Sequence, residues 1–131
     1  MSDAEETTEM RQAEVARIQE KMLKRSFFVM FRKVVDPAKF RPALRDHLRW
    51  LIDLERKGVI FASGPAFKPD ETPAPGMTIF RVATFDEAEK LAASDPVCIA
   101  GGAEFHIHRW SVGAGRLTVS VDFSDQTYRF D

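Results

Sequence analysis

His47 is the side chain of this sequence best placed to do chemistry. It follows Leu44 by three positions and precedes Leu51 by four, so helical periodicity sets its ring on or beside an apolar helix stripe. A polar ring there needs a hydrogen-bond partner or costs roughly 1–3 kcal/mol. Two arrangements meet that need: a core histidine bonded to a backbone carbonyl, or an imidazole that lines a pocket. Asp95 has the same double character. Standing before Pro96, it suits the first turn of a helix, where its carboxylate accepts unpaired amide hydrogens. One oxygen can cap while the other points into a pocket. Ser63-Gly64-Pro65 either ends a strand or lets the backbone approach a ligand closely.

Other candidates carry less. His106 and His108 share one face of a strand with Glu104 and Trp110. That spacing offers imidazole and carboxylate ligands to a metal, or simply a half-exposed strand with its polar residues outward. Cys98 reads as a small buried hydrophobe rather than a nucleophile. No serine sits in a nucleophile elbow, and Gly113-Ala114-Gly115 lacks the strand-to-helix setting of a phosphate loop. No metal and no cofactor are expected.

The elements that must position these groups follow from local pattern. Ser26 to Phe31 is an apolar run bounded by Arg32 and Lys33, a buried strand. Phe40, Leu44, Leu48, Leu51 and Leu54 then fall on one side of a helix that Gly58 stops after Arg56-Lys57. Asp36-Pro37 resembles a cap, yet Pro42 sits badly inside a helix starting there. The main helix is therefore placed from about Arg41, after a separate turn. Val59 to Ser63 is a second strand ended by Gly64-Pro65, and a loop with Pro69, Pro73, Pro75 and Gly76 leads to a third, Met77 to Val82. Thr84 and Glu87 form a capping box for a helix whose Ala88, Leu91 and Ala92 face inward. Asp95-Pro96 opens a short helical turn, Gly101-Gly102 ends it, and Glu104 to Trp110 is the fourth strand. The order β-α-β-β-α-β is the ferredoxin-like α+β arrangement.

Two extensions flank this body, giving three segments: 1–25, 26–110 and 111–131. In the first, Met10, Val15, Ile18 and Met22 make a thin helical stripe, with Ser2 and Glu5 as a candidate capping box. In the last, Leu117, Val119, Val121 and Phe123 alternate with polar residues. Ser124-Asp125-Gln126 can turn the chain so that Thr127 to Phe130 returns as a hairpin. The first and third strands of the body are apolar on both faces. The sheet face away from the helices therefore needs a cover, and a homodimer would supply one.

The chain has 131 residues, the size of one domain, and a formal charge of −1. That balance gives no electrostatic reason to expect a nucleic-acid partner. Its longest stretch without a charged residue, Gly58 to Phe67, is too short to span a membrane. Acidic residues at positions 3, 5, 6 and 9 stand where a secretory signal has its basic and apolar regions, and the one cysteine forms no intrachain disulfide framework. These features imply a cytoplasmic protein.

The run Arg41-Pro42-x-Leu44-x-x-His47-Leu48-x-Trp50-Leu51 resembles the helix of YciI-like (YCII-related) proteins. So do Gly58 to Pro65, the hairpin through Ile79, Ala93-Ser94-Asp95-Pro96 and the closing His108-Arg109-Trp110, together spanning residues 27–110. The resemblance implies a dimeric α+β barrel in which two ferredoxin-like sheets face each other, similar in fold to muconolactone isomerases. It also implies that His47 and Asp95 are an active-site pair. One branch of the family is a dehydrochlorinase acting on a chlorinated hydroxyhydroquinone; most members have no assigned reaction. The first 25 residues and the hairpin after Trp110 depart from the pattern.

The chemistry open to such a pair is proton transfer. Free imidazole titrates near ~6.5, so a neutral ring takes a proton near neutrality and returns it. A carboxylate on one ring nitrogen fixes the tautomer. Ser63, Gly64 and Pro65 would then contact the substrate, backbone there steadying a developing enolate oxygen. Isomerisation or elimination on a small carbonyl or phenolic compound fits best; a non-catalytic small-ligand-binding or accessory protein of the same fold is the alternative.

Overall fold

The structure, a computed structural model, describes residues 5–130. Its elements are α1 (Thr8–Lys21), β1 (Arg25–Val34), α2 (Pro37–Arg56), β2 (Ile60–Phe67), β3 (Pro73–Phe80), α3 (Phe85–Ala93), α4 (Pro96–Ile99), β4 (Ala103–Val112), β5 (Val119–Asp122) and β6 (Thr127–Phe130). They form two compact units: residues 26–111, and the two chain ends, up to Arg25 and from Val112 onward.

In the larger unit the four strands make one sheet in the order β2-β3-β1-β4, with β3 antiparallel to both β1 and β2. With α2 and α3 as the crossings this is the ferredoxin-like α+β fold. Phe28 and Met30 of β1, Phe80 of β3, Leu54 of α2, and Ala88 and Ala92 of α3 form the core between sheet and helices. Alternation along β1 turns Phe27, Val29 and Phe31 to the other face.

Five elements are longer than local pattern implies, β1 and β4 by a few residues at their ends and three others across prolines. The second helix starts at Pro37, not near Arg41, and carries Pro42 inside it. Asp36 caps it by accepting from the Ala38 N–H at 3.1 Å. Pro42 lies early enough that its missing N–H removes a single intrahelical bond, and the start at Pro37 is otherwise well formed. The second strand runs on through Gly64-Pro65 because its register shifts between Gly64 and Ala66, leaving Pro65 opposite no partner. The third strand begins at Pro73 rather than Met77. Pairing of β3 with β1 ends at Arg32 and Gly76, so Pro73 and Pro75 lie beyond the part of β3 that must bond on both sides.

The apolar side of α2 also divides. His47 and Leu54 are buried and Trp50 is half-buried, whereas Leu44 and Leu48 stay exposed. The stripe is wider than the surface it docks on, and half of it turns toward open space.

Helix ends match their signals. Gly58, at φ +73°, ends α2 with N–H bonds from Gly58 to the Glu55 carbonyl and from Val59 to Leu54. Thr84 caps α3 through Glu87 N–H at 3.1 Å, while the Glu87 carboxylate accepts from Ala83 N–H at 3.0 Å. In the smaller unit, α1 is capped by Thr7, which accepts from Met10 N–H. The alternative capping residue Ser2 lies outside the described residues, and Glu5 precedes the helix. No residue of α1 is buried. The hairpin pairs Val119 with Phe130 and Asp122 with Thr127. Among the described residues no helix is long and apolar enough to cross a membrane.

Candidate active site

Two helices bring His47 and Asp95 together. His47 lies mid-way along α2, and Asp95 is the residue that caps α4. Their side chains meet at 2.7 Å, His47 Nδ1 to Asp95 Oδ1, with His47 6% exposed and Asp95 fully buried. Oδ1 also accepts the Val97 N–H at 3.2 Å, so capping and the histidine contact share one oxygen. Phe40 and Trp50 flank the imidazole, the latter stacked at 5.9 Å. Trp50 donates its indole N–H to Ser94 Oγ at 3.0 Å, which ties α2 to the residue just before Asp95.

The other carboxylate oxygen holds a residue that sequence reasoning treated as a strand boundary. Arg32 donates from Nε to Asp95 Oδ2 at 2.7 Å and is itself 7% exposed. From Nη2 it donates to Thr78 Oγ1 at 3.0 Å and contacts the Met30 sulfur at 3.3 Å. The signal that could have found it is parity: Phe28, Met30 and Arg32 share one face of β1, and a cation on a buried face requires an anion.

The hydroxyl network next to Arg32 has one direction. Ser63 Oγ donates to the Met77 carbonyl at 3.1 Å and lies 2.8 Å from Thr78 Oγ1. A hydroxyl has one proton. Ser63 has given its own to Met77, so Thr78 donates to Ser63 and accepts from Arg32.

Burial alone would raise the Asp95 carboxyl. The His47 hydrogen bond and the Arg32 charge outweigh it and hold the group below the ordinary carboxylate value of 3.8. Asp95 is therefore a carboxylate at neutral pH, able only to accept, and His47 Nδ1 must carry the proton between them. In the neutral ring that sets the tautomer, with the lone pair on Nε2. Cys98 is the opposite case, its thiol pushed up to about 11 by burial and by the Asp95 charge. It packs against the core as an unreactive thiol.

A cavity of about 480 Å³ opens beside these groups, within the usual range for small-molecule sites. Phe40, Leu44, His47, Leu48 and Leu51 of α2 form one wall. Ser63 to Phe67 of β2 and Pro73, Ala74 and Gly76 of β3 form another, with Arg32 and Val34 of β1 between them. The exposed half of the α2 stripe is thus cavity wall. Every fully buried side-chain N or O among the described residues has a hydrogen-bond partner. His47 Nε2 and Arg32 Nη1 have none among those residues, so neither atom is fully buried, and both residues line the cavity.

His106 and His108 stand apart from this site. Their rings lie 4.9 Å from each other and pack on Phe31, on the sheet face away from α2. Among the described residues no three His, Cys, Asp or Glu side chains converge to hold a metal ion.

No curated protein matches the chain. Among solved structures it is similar to a 5-chloro-2-hydroxyhydroquinone dehydrochlorinase from Burkholderia phenoliruptrix AC1100, in complex with 2,5-dihydroxybenzoquinone. The identity is 23% and the TM-score 0.49, over 64% of this chain and 92% of that one. The family model for the YCII-related domain matches residues 10–111, which takes in most of α1 as well as the whole larger unit. By that match over most of its length, the chain belongs to the YCII-related domain family.

Proposed function

We propose that this protein is an enzyme that moves a proton at a carbon atom of a small, largely apolar carbonyl or phenolic compound. One observation carries the proposal: the imidazole of His47 is held through Nδ1 by a buried carboxylate at 2.7 Å, on a residue that lines the cavity. Nε2 takes a proton from a carbon next to the carbonyl, and the electron pair moves to the carbonyl oxygen as an enolate. Return of the proton at a second carbon completes an isomerisation. Loss of an anionic leaving group from the adjacent carbon, its bonding electrons leaving with it, completes an elimination. Asp95 orients the ring and faces the positive charge that forms on it. Ser63, Gly64 and Pro65 line the wall against which the substrate lies.

We further propose that the protein works as a homodimer in the cytoplasm. The dimer is supported by the apolar sheet face that carries Phe61 and Trp110, 48% and 42% exposed around Phe27. The free thiol of Cys98 suits a reducing compartment.

The test of the chemistry needs no known product. In deuterated water, proton NMR follows exchange of carbon-bound hydrogens in a panel of cyclic ketones, unsaturated lactones and hydroxylated aromatics. Wild-type protein is expected to catalyse exchange in at least one of them. His47→Ala is expected to lose it while keeping the wild-type circular dichroism spectrum. Exchange that persists in His47→Ala rejects the base role. Binding without exchange across the panel favours a non-catalytic ligand-binding protein.

A further inference from the structure

Arg32 is the polar group of the cavity that proton transfer by His47 leaves without a task. Of its five N–H hydrogens, the one on Nε goes to Asp95 and those on Nη2 face Thr78 and the Met30 sulfur. The two on Nη1 meet no acceptor among the described residues, although the residue is only 7% exposed. A guanidinium has donors only. An unmet, nearly desolvated donor pair facing a cavity selects an acceptor oxygen, and because the donor is charged, an anionic oxygen gains most. The group is also rigid. Asp95 and Thr78 hold it from two sides, so little side-chain entropy remains to be lost when a ligand arrives.

The rest of the cavity is unlike this end. Phe40, Leu44, Leu48, Leu51 and Phe67 offer only hydrocarbon. A ligand that satisfies both parts has an apolar ring or short chain with one oxyanion at its end.

Building on the proton-transfer reading, we propose that Arg32 is a binding residue that selects monocyclic oxyanions, carboxylates, phenolates or enolates, by receiving the charged oxygen on Nη1 beside His47. The carboxylate of Asp95 coordinates the two tasks. Its Oδ1 aims the base and its Oδ2 aims the anion contact, so the ligand's oxygen and its reacting carbon are fixed from one anchor.

The experiment is calorimetric titration with isosteric pairs: benzoate and benzamide, phenylacetate and phenylacetamide, 4-hydroxybenzoate and 4-hydroxybenzamide. Wild-type protein is expected to bind an acid about tenfold or more tightly than its amide, the scale of one charged hydrogen bond. Arg32→Lys keeps a cation for Asp95 but has no second nitrogen for the ligand, and the preference is expected to vanish in it. His47→Gln is expected to keep the preference. Nitrogen-15 NMR of the wild-type guanidinium gives a measurement that needs no variant: the Arg32 Nη signal is expected to shift with benzoate and not with benzamide. A wild-type protein indifferent to charge in all three pairs overturns the proposal. So does a preference that survives Arg32→Lys, or one lost in His47→Gln and kept in Arg32→Lys, since the imidazole would then be the anion contact. The base role of His47 fails by a different sign, exchange retained in His47→Ala, whatever the anion preference proves to be.

Discussion

At the scale of single residues, Asp95 does three jobs with two oxygens: it caps α4, orients His47 and neutralises Arg32. Removing its charge leaves a nearly buried guanidinium without its counter-ion, and breaking such a pair costs about 3–5 kcal/mol. Asp95→Asn is therefore expected to lower unfolding stability by that amount in urea denaturation at neutral pH; a loss below about 1 kcal/mol would show that the pair contributes little. The acid dependence has a definite sign. The folded protein holds the Asp95 carboxyl below its ordinary value of 3.8, so the unfolded chain binds the proton more readily. The stabilisation is complete above that value and disappears as pH falls through the lower, folded one. The stability gap between wild type and Asp95→Asn should accordingly be constant above about pH 5 and narrow below the carboxylate range. A gap that widens in acid contradicts this.

Elements, not residues, set the His47–Asp95 distance, and the junction of α4 with α2 controls it. Gly101 and Gly102 close α4 with N–H bonds to the Cys98 and Val97 carbonyls, Gly101 at φ +79°. The Gly102 carbonyl then accepts from both Val35 and Asp36 N–H, at 2.9 and 3.2 Å, just where α2 begins. A Cβ on Gly102 would lie 2.5 Å from the backbone N and Cα of Phe40. Gly102→Ala must therefore push the two helix ends apart, and it is expected to cost at least about 1–3 kcal/mol. The control is Gly58→Ala, where nothing lies within 4 Å and only the φ of +73° opposes alanine, a strain of about 1–2 kcal/mol. Only Gly102→Ala should also shift the His47 ring proton resonances. Equal stability losses with an unmoved histidine would mean that the junction does not position the site.

For the molecule as a whole, the question is what covers the sheet face opposite α2. Phe61 packs on Phe27 at 5.2 Å with its ring tilted and lies under the Arg81 guanidinium at 5.3 Å, while Trp110 stands 6.0 Å from Phe27 on the same face. A second copy packing its own sheet there would remove these rings from water. Sedimentation velocity is expected to give a dimer for the wild-type chain and a monomer for Phe61→Glu, because a carboxylate in an apolar interface carries its full desolvation cost. A wild-type chain that sediments as a monomer rejects the dimer.

Sequence pattern alone determined the order of elements, the capping residues of α3 and α4 and the helix-stopping Gly58, because each depends on neighbours within a few positions. It marked His47 and Asp95 as candidates but could not weigh them. Asp36-Pro37 and Asp95-Pro96 carry the same local signal, and both aspartates cap helices. Only Asp95 meets a histidine 48 positions away and an arginine 63 positions away. That choice was made by tertiary structure. So were the division of the α2 stripe into core and cavity wall, and the continuation of β2 and β3 past their prolines. Each depends on which surface lies opposite, and the sheet and helices set that only once they have packed.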